Sequence, residues 1–81
     1  MKLTVLIRPK AGMLDPEGEA VQASLARLGF DVTSARVGRL VDLELDTDDP
    51  AAARADVERM CAELLANPLI ESFEVVAQEA A

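Results

Sequence analysis

The sequence predicts an α+β two-layer sandwich of β-α-β-β-α-β order: a four-stranded antiparallel sheet with both helices on one face, the ferredoxin-like arrangement. Three observations predict it. Apolar residues alternate with a period of two in Leu3-Thr4-Val5-Leu6-Ile7, in Val41-Asp42-Leu43-Glu44-Leu45 and around Phe73 and Val75. Two aspartate-proline pairs, Asp15-Pro16 and Asp49-Pro50, are helix starts. The length, 81 residues, suits one domain (1–81) and no second.

Residues 2–8 form the first strand, with Leu3, Val5 and Ile7 on one face and Lys2, Thr4, Leu6 and Arg8 on the other. Pro9 closes it, having no N–H for a ladder. Asp15 then caps a helix, Pro16 suits its first position, and Glu17 and Glu19 favour the positive end of its dipole. Ala20, Val21, Ser24, Leu25 and Leu28 make its inward stripe, and Gly29 stands where a left-handed cap is wanted.

Val32 to Leu45 is long enough for two strands joined by a tight turn at Gly38-Arg39. Ala35 and Val37 face inward on one strand; Val41, Leu43 and Leu45 do so on the other. The second helix carries Ala53, Val57, Met60, Cys61, Leu64 and Leu65 inward and stops at Asn67-Pro68. Ile70 to Ala77 returns to strand, and the last few residues, small or polar, are expected to fray. The far sheet face is expected to hold Thr4, Leu6, Arg36, Asp42, Glu44, Ser72 and Val76. Leu6 and Val76 among charges point to a partner surface there, although scattered exposed apolar residues are also ordinary.

Composition narrows the function. A net charge of −7 repels phosphate backbones, and Phe30 and Phe73 are the only aromatics available for base stacking, so nucleic acid is not an expected partner. No apolar run approaches membrane-spanning length, and the first one stops at Arg8; a cytoplasmic location is expected. Cys61 is the only cysteine and there is no histidine, which excludes an internal disulfide and argues against protein-held zinc and histidine-based nucleophiles. Cys61 itself reads as a small core side chain. Gly12, Gly18, Gly29 and Gly38 match no dinucleotide or phosphate loop. The run Asp46-Thr47-Asp48-Asp49 lacks the glycine and distal glutamate of a calcium loop and reads as a solvated turn with a cap. Arg8 and Lys10 lie before a helix N-terminus, where they either help hold an anion or simply offset an acidic surface. Nothing supports an autonomous active site, and a domain this small commonly gains stability from a partner chain.

Several segments match a known family. Lys10 to Gly18, with Leu14-Asp15-Pro16-x-Gly18, resembles the signature that opens the first helix of PurS proteins. Leu28-Gly29-Phe30 resembles that helix's end, Arg36-Val37-Gly38-Arg39 the family's Arg-x-Gly-Lys hairpin, and Cys61 to Glu71, through Asn67-Pro68, the second helix end. Glu17 stands where glutamine is expected, and Arg39 where lysine is usual, which keeps the charge but changes the donor geometry. The resemblance spans nearly the whole chain.

It implies a subunit with no catalytic residue and no bound cofactor or metal of its own. That subunit serves phosphoribosylformylglycinamidine (FGAM) synthase, the ATP- and glutamine-dependent ligase of de novo purine biosynthesis. The implied partners are a second copy (a homodimer or dimer of dimers), a glutaminase subunit, and a large synthetase subunit that uses ATP and Mg. The implied role is to bridge those two and assist ammonia transfer. The candidate contact residues are Leu6, Arg8, Lys10, Asp15, Pro16, Gly18, Arg36, Gly38, Arg39, Asn67 and Pro68. The alternative is an ACT-like dimeric regulatory domain binding a small amino acid, with which Gly29 and the acidic balance are compatible.

Overall fold

A computed structural model of the chain describes residues 1–77; the tail expected to fray lies outside the described residues. Strand β1 (Lys2–Pro9) is the centre of a three-stranded antiparallel sheet, with β2 (Arg39–Glu44) on one side and β3 (Glu71–Ala77) on the other. The register places Leu3, Val5 and Ile7 opposite Leu43, Val41 and Arg39 on β2 and opposite Ala77, Val75 and Phe73 on β3. Directly opposed residues share a face, so these form the covered side of the sheet.

Helix α2 (Pro50–Met60) packs on that side. Asp49 caps it, its carboxylate accepting the N–H groups of Ala51 and Ala52. Ala53 and Val57 are fully buried against Leu3, Val5, Ile7 and Val75. One π-helical turn, Cys61–Leu65, ends the helix, with Ala66 N–H donating to the Cys61 carbonyl at 3.0 Å. The wider turn carries the chain off the helical stripe. Cys61 and Ala66 reach the core and half-buried Leu65 packs against it, whereas Met60 and Leu64 of the expected inward stripe are exposed, Leu64 to 84%.

Helix α1 (Pro16–Arg27) forms where the sequence predicts, but not against the sheet. It ends in the predicted left-handed cap: Gly29 has φ +98°, and Phe30 and Gly29 N–H groups donate to the Leu25 and Ala26 carbonyls. Of its residues only Gly18 is buried, while Val21 and Leu28 are exposed.

The expected second strand and its hairpin do not form. Residues 34–38 run without a turn straight into β2. A tight hairpin would need a positive φ at Gly38, and among the described residues only Gly12 and Gly29 have one. The 32–37 segment instead lies along α1: the Gln22 side chain donates to the Val32 carbonyl at 2.9 Å and Val37 N–H donates to Asp15 at 2.9 Å. Among the described residues the sheet therefore has three strands rather than four and one helix on its covered face rather than two. The chain is flat and long, 48 × 33 × 14 Å, with a radius of gyration of 15.8 Å where a compact chain of this length has about 12 Å.

Candidate functional site: a junction at the end of the sheet

Eight of the eleven sequence-predicted contact residues converge where β1 ends, α1 begins, β2 begins and the π turn meets β3. Asp15 is the hub of one half. Its Oδ1 accepts the Gly18 N–H at 3.0 Å, capping α1, while its Oδ2 accepts the Val37 N–H from across the loop. Those two donors hold its carboxyl below the usual aspartate value. Pro16 supplies the first helical residue, and Gly18 is where the helix touches the returning chain. A Cβ at Gly18 would sit 2.3 Å from the Ala35 carbonyl oxygen, so only glycine fits. Arg36 donates to the Pro9 carbonyl, tying the same segment to the end of β1.

Arg39 is the hub of the other half. Its guanidinium grips Glu71 through two hydrogen bonds, 2.6 and 3.1 Å, and donates to the Leu65 carbonyl at 2.6 Å. Glu71 also accepts the Asn67 N–H at 2.8 Å, and the Asn67 side chain accepts the Leu69 N–H, shaping the Asn67-Pro68 turn. The ion pair lowers the Glu71 carboxyl, helped by Asn67, and raises the Arg39 guanidinium. Gly38 lies so close to β1 that a Cβ would meet the Ile7 carbonyl oxygen at 2.2 Å. Shallow open depressions flank the junction, one lined by Arg8, Arg36 and Leu40, the other by Asp15, Val37 and Glu71.

Three predicted residues lie apart from this cluster of eight. Leu6 and Arg8 are on the uncovered sheet face, Leu6 opposite Leu40 and Glu74, and Arg8 3.8 Å from the Glu74 carboxylate. Lys10 is exposed just past β1, its backbone N–H donating to the Ile70 carbonyl. The anion option at the start of α1 has an internal answer, because the cap is filled by the Asp15 carboxylate and Arg8 points to Glu74. Arg36 lines a depression with Leu6, Arg8 and Leu40 at the end of the uncovered face. Leu40, 57% exposed, joins Leu6 and Val76 on that face.

Glu71 was not among the predicted residues. Its signal was a carboxylate four residues after Asn67, in reach of an arginine without an assigned partner. Chemically the junction is a clasp, its charges and carbonyls spent on one another. Burial pushes the Cys61 thiol pKa up, away from reactivity. Among the described residues no cluster of three or more metal-ligating side chains occurs, and no helix is long and apolar enough to cross a membrane.

Comparison with known proteins gives a consistent result. A profile described as PurS, phosphoribosylformylglycinamidine (FGAM) synthase, matches residues 2–79. The PurS subunit of that synthase from Synechocystis sp. is 42% identical over 83 residues, covering 99% of this chain and 81% of that protein. The crystal structure of Methanocaldococcus jannaschii PurS superposes with a TM-score of 0.85 at 34% identity, covering 99% and 98% of the two chains. A chain in the PurLQS structure from Thermotoga maritima gives 0.85 at 30% identity, covering 93% of each.

Proposed function

The chain belongs to the PurS family, and on that premise we propose that it is the accessory subunit of an FGAM synthase in purine biosynthesis. The likeness of the whole chain to one in the three-component Thermotoga maritima assembly is the observation that carries this reading. It does not favour the ACT-like alternative.

In this reading a glutaminase subunit releases ammonia, and a synthetase subunit uses ATP and Mg to activate the amide that ammonia attacks. This chain holds the two together in the cytoplasm. Its contribution is positional: keeping source and acceptor adjacent raises the effective concentration of an intermediate that otherwise escapes as ammonium. Such work needs surfaces rather than a catalytic side chain. The clasp serves it by fixing the directions of α1, β2 and β3 relative to β1.

The chain also pairs with itself, as a homodimer or dimer of dimers, using sheet edges or the uncovered face that carries Leu6, Leu40 and Val76. Leu6→Asp places a charge at the centre of that face, and sizing with light scattering should show a smaller assembly. A fully retained assembly would remove the uncovered face from the pairing. Mixed with its synthetase and glutaminase, the chain should co-elute as a ternary complex. Elution of all three as separate species would overturn the bridging role.

A further inference from the structure

We propose that the depression at the end of the uncovered sheet face is a docking site for an acidic segment of a partner subunit. A carboxylate of that segment is held by Arg8 and Arg36, and a neighbouring apolar side chain rests on Leu6 and Leu40. This rests on the bridging role just proposed and names the chemistry of one of its contacts. The chain has 15 acidic residues and 8 basic ones. Three of those eight, Arg8, Arg36 and Arg39, line this one depression, and no aspartate or glutamate lines it. In a protein of net charge −7, an anionic group meets attraction there rather than repulsion. Gly38 makes the arrangement possible. A Cβ there would meet the Ile7 carbonyl oxygen at 2.2 Å, and the close approach it permits brings Arg36 alongside the end of β1.

The three guanidiniums are not equally available. Arg39 is committed, holding Glu71 through two hydrogen bonds and the Leu65 carbonyl through a third. Arg36 donates to the Pro9 carbonyl, which fixes its side chain at the rim, and it has no ion-pair partner among the described residues. A guanidinium has donors to spare after one such bond, enough for a carboxylate. Asp15, on the same side of the junction, has both carboxylate oxygens occupied by the Gly18 and Val37 N–H groups. Arg8 lies 3.8 Å from Glu74, past hydrogen-bond length, and the two side chains are 60% and 63% exposed. Such a pair contributes little in water, so Arg8 readily exchanges it for a better-placed carboxylate.

The surroundings select a peptide segment over a free anion. Arg8 and Arg36 stand on an open surface, where a small anion keeps most of its water and is screened by salt. Beside them Leu6 and Leu40 oppose each other across β1 and β2, and Leu40 is 57% exposed. An apolar side chain seated there excludes water from the charge pairs and strengthens them. A peptide segment supplies both groups, an acid and an apolar side chain, whereas phosphate supplies only the first. A second copy of the chain is a poor occupant, because a two-fold contact centred on the depression sets arginines against arginines. The site is also separate from the start of α1, where Asp15 supplies the cap.

The test titrates the full chain into the synthetase and into the glutaminase separately, by calorimetry at low and high salt. A double variant, Arg8→Ala with Arg36→Gln, removes both charges, and glutamine keeps a donor for the Pro9 carbonyl. Its affinity for one of the two subunits should fall about tenfold or more, and the binding that remains should depend less on salt. Affinity for the other subunit should not change, nor should sedimentation of the chain alone. A control, Arg54→Ala with Arg59→Ala, makes the same change in net charge from exposed positions on α2 and should leave both affinities intact. Equal losses in the control would make the effect one of net charge and overturn the site. Unchanged binding of both subunits by the Arg8/Arg36 variant would overturn the site and leave the bridging role standing. A smaller assembly with both affinities kept would give the depression to a second copy, and saturable binding of inorganic phosphate that the variant loses would give it to a free anion; either overturns the proposal. Failure of the unaltered chain to bind either subunit would instead remove the bridging role, and the site with it.

Discussion

Helices α1 and α2 start alike and end up in different situations. Each begins with an aspartate cap and a proline, and they have 12 and 11 residues. Yet α2 buries Ala53 and Val57 in a core with β1 and β3, whereas α1 buries only Gly18 and is fixed by polar contacts at its N-terminus and through Gln22. A good cap and an apolar stripe therefore decide that a helix forms, and the chain leaving it decides where it docks. After α2 the π turn and the Asn67-Pro68 turn bring the chain straight back to the sheet. After α1 the chain returns along the helix, and Gly38, without the positive φ of a hairpin, sends it straight on into β2.

The comparison breaks first in the core. Ile7→Ala empties a site 1% exposed beneath α2 and should cost about 3 kcal/mol, a large part of the stability of so small a domain, as read by urea unfolding. Gly18→Ala forces a Cβ onto the Ala35 carbonyl and should cost about 1–3 kcal/mol. Its signature is selective: hydrogen exchange should quicken in α1 and 32–37 while β1 stays protected. If β1 loosened equally, α1 with residues 32–37 and the sheet would be one cooperative unit rather than two regions.

Acid probes the clasp more gently. Asp15 and Glu71 both have carboxyls lowered in the folded chain, Asp15 by the Gly18 and Val37 N–H groups and Glu71 by Arg39. A folded value below the unfolded one stabilises the fold fully above the unfolded value, about pH 4, and that stabilisation fades as pH falls through the folded value. Urea midpoints should therefore drop on acidification below about pH 4, and Asp15→Asn should flatten that drop. An unchanged acid limb in the variant would show that Asp15 carries no such charge. The smallest effect belongs to Leu64→Ala: out on the π turn, it should change the urea midpoint by an amount worth less than about 0.5 kcal/mol. A loss near that of a core residue would put Leu64 back on the inward stripe of α2.

Much of this was legible in the sequence because it depends on neighbours in the chain. The alternation in Leu3-Val5-Ile7 and Val41-Leu43, both Asp-Pro starts and the Gly29 cap all hold locally and appear where expected. The hairpin at Gly38-Arg39 was not legible. Whether that dipeptide turns depends on Asp15 reaching Val37 and on Gly18 admitting Ala35, contacts across about 20 residues that no local pattern encodes. The position of α1 and the strand count went wrong with it. The candidate residues were named as partner contacts largely from family resemblance, and the geometry shows something different of eight of them: they meet at one junction. There Asp15, Gly18, Arg36, Arg39 and Asn67 bind one another or the adjacent backbone, Gly38 lies close against Ile7, and Glu71 completes them.

In the proposed function this chain lends surfaces, not chemistry, to a larger synthase. The direct test is FGAM synthesis by the synthetase and glutaminase subunits with and without it, supplied in parallel with glutamine or with free ammonia. Glutamine-dependent synthesis should require the chain while ammonia-dependent synthesis persists without it; glutamine-dependent synthesis that proceeds equally well in its absence would contradict the claim.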